Sequence, residues 1–394
     1  MRPLLSVLLT LAFSVVIAPP TFGQGHYYQS VIDVLRDSII LLANQNLASE
    51  PITVSSALCE RSSGGRHDFY SEGDYWWPDP NNPDGPYIRK DGITNPENFT
   101  EHRKALLRFS ALTGNLTSAF IITKDAKYAQ TALKHIHAWF VDPTTKMNPH
   151  LLYAQAIKGR QTGRGIGIID AIHFMEVVQS LRVLDHYQQV EEEALAEIKA
   201  WFGAFIEWLT THPYGQKEMI HPNNHGTCWN MQVASYARFT QNEEMLEFCR
   251  NNYTQTLLPN QMAADGSFPL EMERTKPYGY ALFNLDAMAM NCQILSDNEH
   301  NLWNFETEDG RGIAQGLAYM YPFVIDKKSW QLDPDVMYWD DWPVAHPAFL
   351  FGAMQFDRAG YFLAWQKHRH FLKVQEVRRN VPIRNPLIWL AIEN

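Results

Sequence analysis

Positive charge is in short supply here: Lys and Arg number 33 against 43 Asp and Glu, a formal net charge of -10. That balance argues against nucleic acid as a partner. It says less about a polyanionic sugar, because local clusters rather than total charge steer a ligand. Cysteine is scarce as well. Cys59, Cys228, Cys249 and Cys292 are too few and too scattered for a disulfide scaffold, although an oxidising compartment leaves room for one or two bridges. Beyond the N-terminus no long apolar run is free of charge, so no membrane span is expected. Metal-ligand spacing is missing too. His135 and His137 would diverge on a helix, and Asp333, Asp335, Asp340 and Asp341 fit no EF-hand. No metal or cofactor is expected.

What is present begins with MRPLLSVLLTLAFSVVIAPPTFGQGH, one Arg ahead of an apolar stretch that breaks at Pro19–Pro20 and reaches a small residue at Gly23. This reads as a secretory signal peptide over 1–23, which predicts an exported protein, periplasmic or secreted. Residues 24–394 contain no low-complexity linker and no composition boundary, and are expected to form one domain.

Helical periodicity dominates that domain. In DAKYAQTALKHIHAWF, Ala129, Ala132, Leu133, Ile136 and Phe140 share a face. In EEEALAEIKAWFGAFIEWL, Leu195, Ile198, Phe202, Phe205 and Leu209 alternate steps of three and four. Further helices are predicted near 27–47, 100–112, 166–186, 225–239, 243–257, 280–296, 311–324 and 358–374. No run of alternation demands a large sheet. Amphipathic helices joined by long aromatic loops predict an all-α fold, an (α/α) toroid whose loops frame a cleft.

Several stretches break the helical pattern. YSEGDYWWPDPNNPDGPYIRKDGI sets Tyr75, Trp76 and Trp77 among prolines that restrain the chain, aperiodic and so neither helix nor plain strand. Pyranose rings present apolar C–H faces, and indoles suit them. This segment reads as one wall of a sugar cleft. Arg66, His67, Arg89 and Arg164 are candidate partners for sugar carboxylates, and Gln155 for hydroxyls. HPNNHGTCWNMQ places Asn223, Asn224 and His225 ahead of an apolar run, where an asparagine could also simply cap a helix. Downstream, ERTKPYGYALFNLDAM supplies Arg274, Lys276, Tyr278 and Tyr280.

These side chains match the needs of β-elimination in a 4-linked polyuronate. The sugar carboxylate must be neutralised so that charge can spread into it when the C5 proton leaves. An amide such as Asn224 and a guanidinium such as Arg274 suit that role. A neutral imidazole at His225 suits the base, and a phenol at Tyr280 the acid, or the base as phenolate. A glycoside hydrolase would need two carboxyl groups across the scissile bond, and Asp74, Asp265, Glu271 and Asp286 form no recognisable pair. A non-catalytic sugar-binding protein would need the aromatics alone.

The NNHG–Trp stretch, together with ERTKPYGYALFNLDAM, YWWPDPNNPDGPYIRKDG and GRGIGIID, resembles the helical-toroid alginate lyase family, which includes alginate and glucuronan lyases. The similarity runs over roughly 50–350. It implies an acidic polysaccharide substrate, alginate first and glucuronan next. It also implies Asn224 and Arg274 as carboxylate neutralisers, His225 as base and Tyr280 as acid or acid/base. The family's usual Arg-to-Tyr interval lands here on Ala281, which shifts the assignment to Tyr280 with Tyr278 as competitor and leans toward the glucuronan-type branch.

Overall fold

The computed structural model describes residues 24–392, so the signal segment 1–23 lies outside the described residues. Helices carry the fold. They are α1 (Gln24–Asn46), α2 (Glu101–Thr123), α3 (Ala126–Phe140), α4 (Phe174–His186), α5 (Glu192–Thr211), α6 (Pro213–Met219), α7 (Asn224–Thr240) and α8 (Glu243–Asn252). There follow α9 (Leu258–Gln261), α10 (Pro269–Met272), α11 (Pro277–Leu295), α12 (Ile313–Ile325), α13 (Pro347–Phe356), α14 (Ala359–Lys367), α15 (Gln375–Arg379) and α16 (Leu387–Leu390).

Local chemistry explains where they start and stop. Asp125 opens α3 by accepting the Lys127 N–H at 3.1 Å. The apolar stripe that follows meets α5: Phe140 lies 4.7 Å from Trp201 and 5.0 Å from Phe202, ring to ring. Phe109 of α2 stacks on Trp139 at 4.9 Å, which extends the same aromatic core. Helix α2 runs eleven residues past its predicted end at 112. Gly114 permits this, because any Cβ there would collide with the Asn385 side chain of the C-terminal segment. By length and composition α2 could cross a membrane, yet most of it is buried inside the protein.

Helices α7 and α11 are buried nearly all round, so neither shows a clean apolar stripe. Buried polar groups fix their register: Asn230 donates to Asn291 at 2.8 Å, and Thr227 and Asn284 both donate to Gln261. Gln261 in turn donates to the carbonyl of Asn223 at 3.1 Å and so ties down the start of α7. Asp335 accepts the N–H groups of Tyr278 and Gly279 at the start of α11. That aspartate reaches from a loop to fasten the start of the helix.

Further elements differ from expectation, among them 166–186, which is a 3-10 stretch, Gly165–Ala171, followed by α4. The segment 243–257 is α8 followed by a π-helical turn, Tyr253–Leu257. Helix α14 stops at Lys367 rather than 374, where the Arg369 carbonyl turns away to accept the Ala345 N–H. The aromatic stretch 70–93 is not purely loop. Tyr70–Glu72 (β1) pairs in parallel with Tyr153–Ala156, and Trp76–Trp77 (β2) pairs antiparallel with Ile88–Arg89 (β3) as a small hairpin. All four cysteines are free thiols, so the bridges allowed by the sequence do not form in this structure.

Candidate active site

The NNHG turn sits at the mouth of α7. Asn223 caps the helix, its side-chain oxygen accepting the His225 N–H at 3.2 Å. Gly226 follows because a Cβ there would strike the His221 carbonyl. The N-terminus of α7, where Asn223 and Asn224 are buried, favours a negative partner. Glu271 on α10 supplies one, accepting the Asn224 backbone N–H at 2.6 Å and its side-chain amide at 2.7 Å. This uses one of the two amide hydrogens of Asn224 and leaves the other. Burial lifts the Glu271 carboxyl above its ordinary pKa, against the pull of the two Asn224 bonds.

His225 keeps part of its ring open to solvent, while its Nδ1 lies 2.5 Å from the buried Glu218 carboxylate. A carboxylate there holds the proton on Nδ1 and leaves the Nε2 lone pair free, which is the arrangement of a neutral general base. The ring of His221 lies 4.9 Å away, and burial, then the nearby His225, lower its pKa.

From α10 the chain passes directly to Arg274. Its guanidinium lies 4.6 Å from the Tyr280 ring centroid and 3.4 Å from Asp91. Burial opposes that charge, but Tyr280 and Asp91 outweigh it and hold the guanidinium above its ordinary pKa. The Tyr280 hydroxyl pairs with that of Tyr75 at 2.7 Å. Glu271 bonds Asn224 and its carboxyl also feels Arg274 and His225, while Tyr280 meets Arg274 through its ring.

Behind them runs a buried chain of alternating charge. Lys276 donates to Tyr75 at 2.8 Å and pairs with Glu376 of α15. Glu376 also meets Arg379, Arg379 meets Asp74, and Asp74 meets Arg103 at 2.6 Å. Arg103 then reaches Asp170 at 3.0 Å, Asp170 accepts from Gln155 at 3.0 Å, and Gln155 accepts from Arg164 at 2.9 Å. This chain spans from α11 to the wall carrying Trp76; each charge from Lys276 to Asp170 has an opposite neighbour, and Arg164 closes it on the neutral Gln155 amide.

Several expected substrate contacts are committed elsewhere. Tyr278 is fully buried, donates to the Phe323 carbonyl at 2.9 Å and packs on Trp330 and Trp339, so it does not compete with Tyr280. Lys276 is buried in its ion pair, and both ends of the Gln155 amide are used inside the protein. Asn223 is a cap. His67 bonds the Lys146 carbonyl through Nδ1 at 2.7 Å, and the Trp77 indole N–H donates to the Ile93 carbonyl at 2.9 Å, anchoring the hairpin. Tyr75 presents its hydroxyl to Tyr280 and Lys276 rather than outward. Trp76 is half-buried with Arg160 and Arg164 over its ring at 5.4 and 5.9 Å. Arg66 and Arg89 are exposed, and Arg89 pairs with Asp91 at 2.5 Å. Among the described residues no group of three or more His, Cys, Asp or Glu is placed to hold a metal ion.

Sequence reading missed Glu218, Asp91, Glu376 and Arg379. Their contacts that reach the site, Glu218 to His225, Asp91 to Arg274, Glu376 to Lys276 and Arg379 to Asp74, cross a turn or run far along the chain, so no local spacing announces them.

Comparison with known proteins fits this geometry. A family model described as alginate lyase matches residues 53–330. The crystal structure of an alginate lyase from Bacteroides ovatus is 30% identical, covers 92% of this chain and 97% of its own, and superposes with a TM-score of 0.79. Alginate lyase A1-III from Sphingomonas species A1 is 14% identical, with coverage of 90% and 95% and a TM-score of 0.57. A histidine-to-alanine variant of A1-III complexed with tetrasaccharide is also 14% identical, with coverage of 88% and 89% and a TM-score of 0.59. At that identity the A1-III structures speak for the fold alone, an α/α toroid. No curated protein sequence matches. With its model matched across well over half of the sequence, this chain belongs to the alginate lyase family.

Proposed function

We propose that the protein cleaves 4-linked polyuronates by β-elimination, with alginate as the leading substrate. The observation that carries this reading is the NNHG turn held on Glu271 through Asn224, with His225 beside it on Glu218, and Arg274 lying over the Tyr280 ring. The remaining amide hydrogen of Asn224 and the Arg274 guanidinium neutralise the uronate carboxylate, which lowers the cost of charge developing at C5. His225 Nε2 takes the C5 proton while Glu218 steadies the imidazolium through Nδ1. The C4–O bond breaks as the C4=C5 double bond forms, and Tyr280 returns a proton to the departing oxygen. The substrate of the Bacteroides relative, an alginate lyase, supports alginate over other uronates. Residues 1–23 would deliver the enzyme to the periplasm or outside the cell.

The test is a panel of defined polymannuronate, polyguluronate and glucuronan, followed by ultraviolet absorbance and product mass. Unsaturated ends from the mannuronate or guluronate polymers support the reading. Unsaturated ends from glucuronan alone would move the substrate, and saturated reducing ends would overturn the reaction class.

A further inference from the structure

The ion pair between Lys276 and Glu376 is costly to bury, and two apolar residues of similar size would fill the space at least as stably. Its position is what distinguishes it. The Lys276 ammonium lies 5.1 Å from the Tyr280 ring centroid and donates to the Tyr75 hydroxyl, which in turn lies 2.7 Å from that of Tyr280. Glu376 comes from α15, exactly one hundred residues along the chain and beyond the stretch covered by the family model.

We infer that Lys276 and Glu376 are positioning residues that set the protonation of the Tyr280 phenol through the Tyr75 hydroxyl, with α15 supplying the counter-charge. This rests on the reading of Tyr280 as the proton donor to the leaving oxygen. The Tyr75 proton has two possible acceptors, Tyr280 at 2.7 Å and Glu376 at 3.2 Å. Lys276 donates to both Tyr75 and Glu376, and of the two acceptors Tyr280 is the nearer, which favours turning the Tyr75 proton toward it. Burial, then Glu376 and Tyr280, push the Tyr75 phenol well above its ordinary pKa, so Tyr75 remains a donor. The charged groups facing this hydroxyl pair are Arg274 and Lys276 before α11, Glu376 and Arg379 on α15, and Asp74 beside Tyr75. Tyr338 lies beyond the ammonium, with its ring centroid 5.6 Å from Lys276 Nζ. Removing one charge of the pair takes away one sign of charge beside the phenols, Glu376 keeping Arg379 when Lys276 is lost, so the two single losses act in opposite directions.

The experiment is the pH profile of kcat/KM for Lys276→Met, Glu376→Gln and the double variant, each checked for native Tm. In the lysine variant the alkaline limb should move up by about one pH unit, and in the glutamate variant down by a similar amount. The double variant removes both charges, protects against failure of either single variant to fold, and should return the limb toward wild type. The acid limb should stay in place. Shifts in the same direction, or no shift in folded variants, would overturn the inference. Unsaturated product from the wild type keeps the lyase reading intact in either case, and its absence would remove that reading instead.

Discussion

The Nδ1 atom of His225 lies 2.5 Å from the Glu218 carboxylate, which is itself almost wholly buried. A carboxylate in that place selects one tautomer and stabilises the imidazolium that follows proton abstraction. Glu218→Gln keeps the shape and removes the charge. It should lower kcat by about 10² with little change in KM, within the range general acid–base groups supply. Steady-state kinetics on the preferred polyuronate checks this, and an unchanged kcat would place the base elsewhere.

Tyr278 and Tyr280 are separated by one residue and by their surroundings. Tyr280→Phe should cut turnover by about 10² to 10⁴ while binding persists. Tyr278→Phe removes the bond to the Phe323 carbonyl and should cost about 1 kcal/mol of stability with kcat nearly intact. Parallel measurement of Tm and product absorbance separates the two, and the reverse pattern would exchange their roles.

Buried histidines set an acid limit. Burial, then Arg108, lowers His135 to about 4, and burial, then Arg384, holds His173 well below its ordinary value. An unfolded histidine takes its proton near 6.5, so below that pH the unfolded chain binds more protons than the folded one. Their contribution to stability is complete above about pH 6.5 and falls as the pH drops toward 4. Thermal melts between pH 7 and 4 should show this loss, and His135→Gln should flatten the slope.

The thiols give a separate check on the fold. Cys228, Cys249 and Cys292 are buried, and burial lifts all three, Cys292 to about 12. Cys59 is partly exposed. A thiol reagent should label one cysteine quickly in the native protein and all four after denaturation. Fewer than four after denaturation without reductant would reveal a disulfide.

Amphipathic α3 and α5 were legible because one face of each meets the core and the other meets water. Helix α11 was placed from its composition and flanks, since a helix buried all round carries no stripe. An Asn–His pair and an Arg with a nearby Tyr were legible as candidates because they match a definite chemistry. Their support was not. Glu376 reads in sequence as one of many surface acids, and only the fold carries it to Lys276. The aromatic stretch misled in another way. Tyr75 and Trp77 look like sugar platforms, yet their polar atoms are spent on Tyr280 and on the Ile93 carbonyl.

Asp91 touches Arg274 at 3.4 Å while holding Arg89 at 2.5 Å. The resting site thus carries its own placeholder for an incoming sugar acid. Arg274 has already shed part of its water, and when a uronate arrives the displaced aspartate still has Arg89 to rest against. A neutral sugar brings no charge with which to compete with Asp91 for that guanidinium.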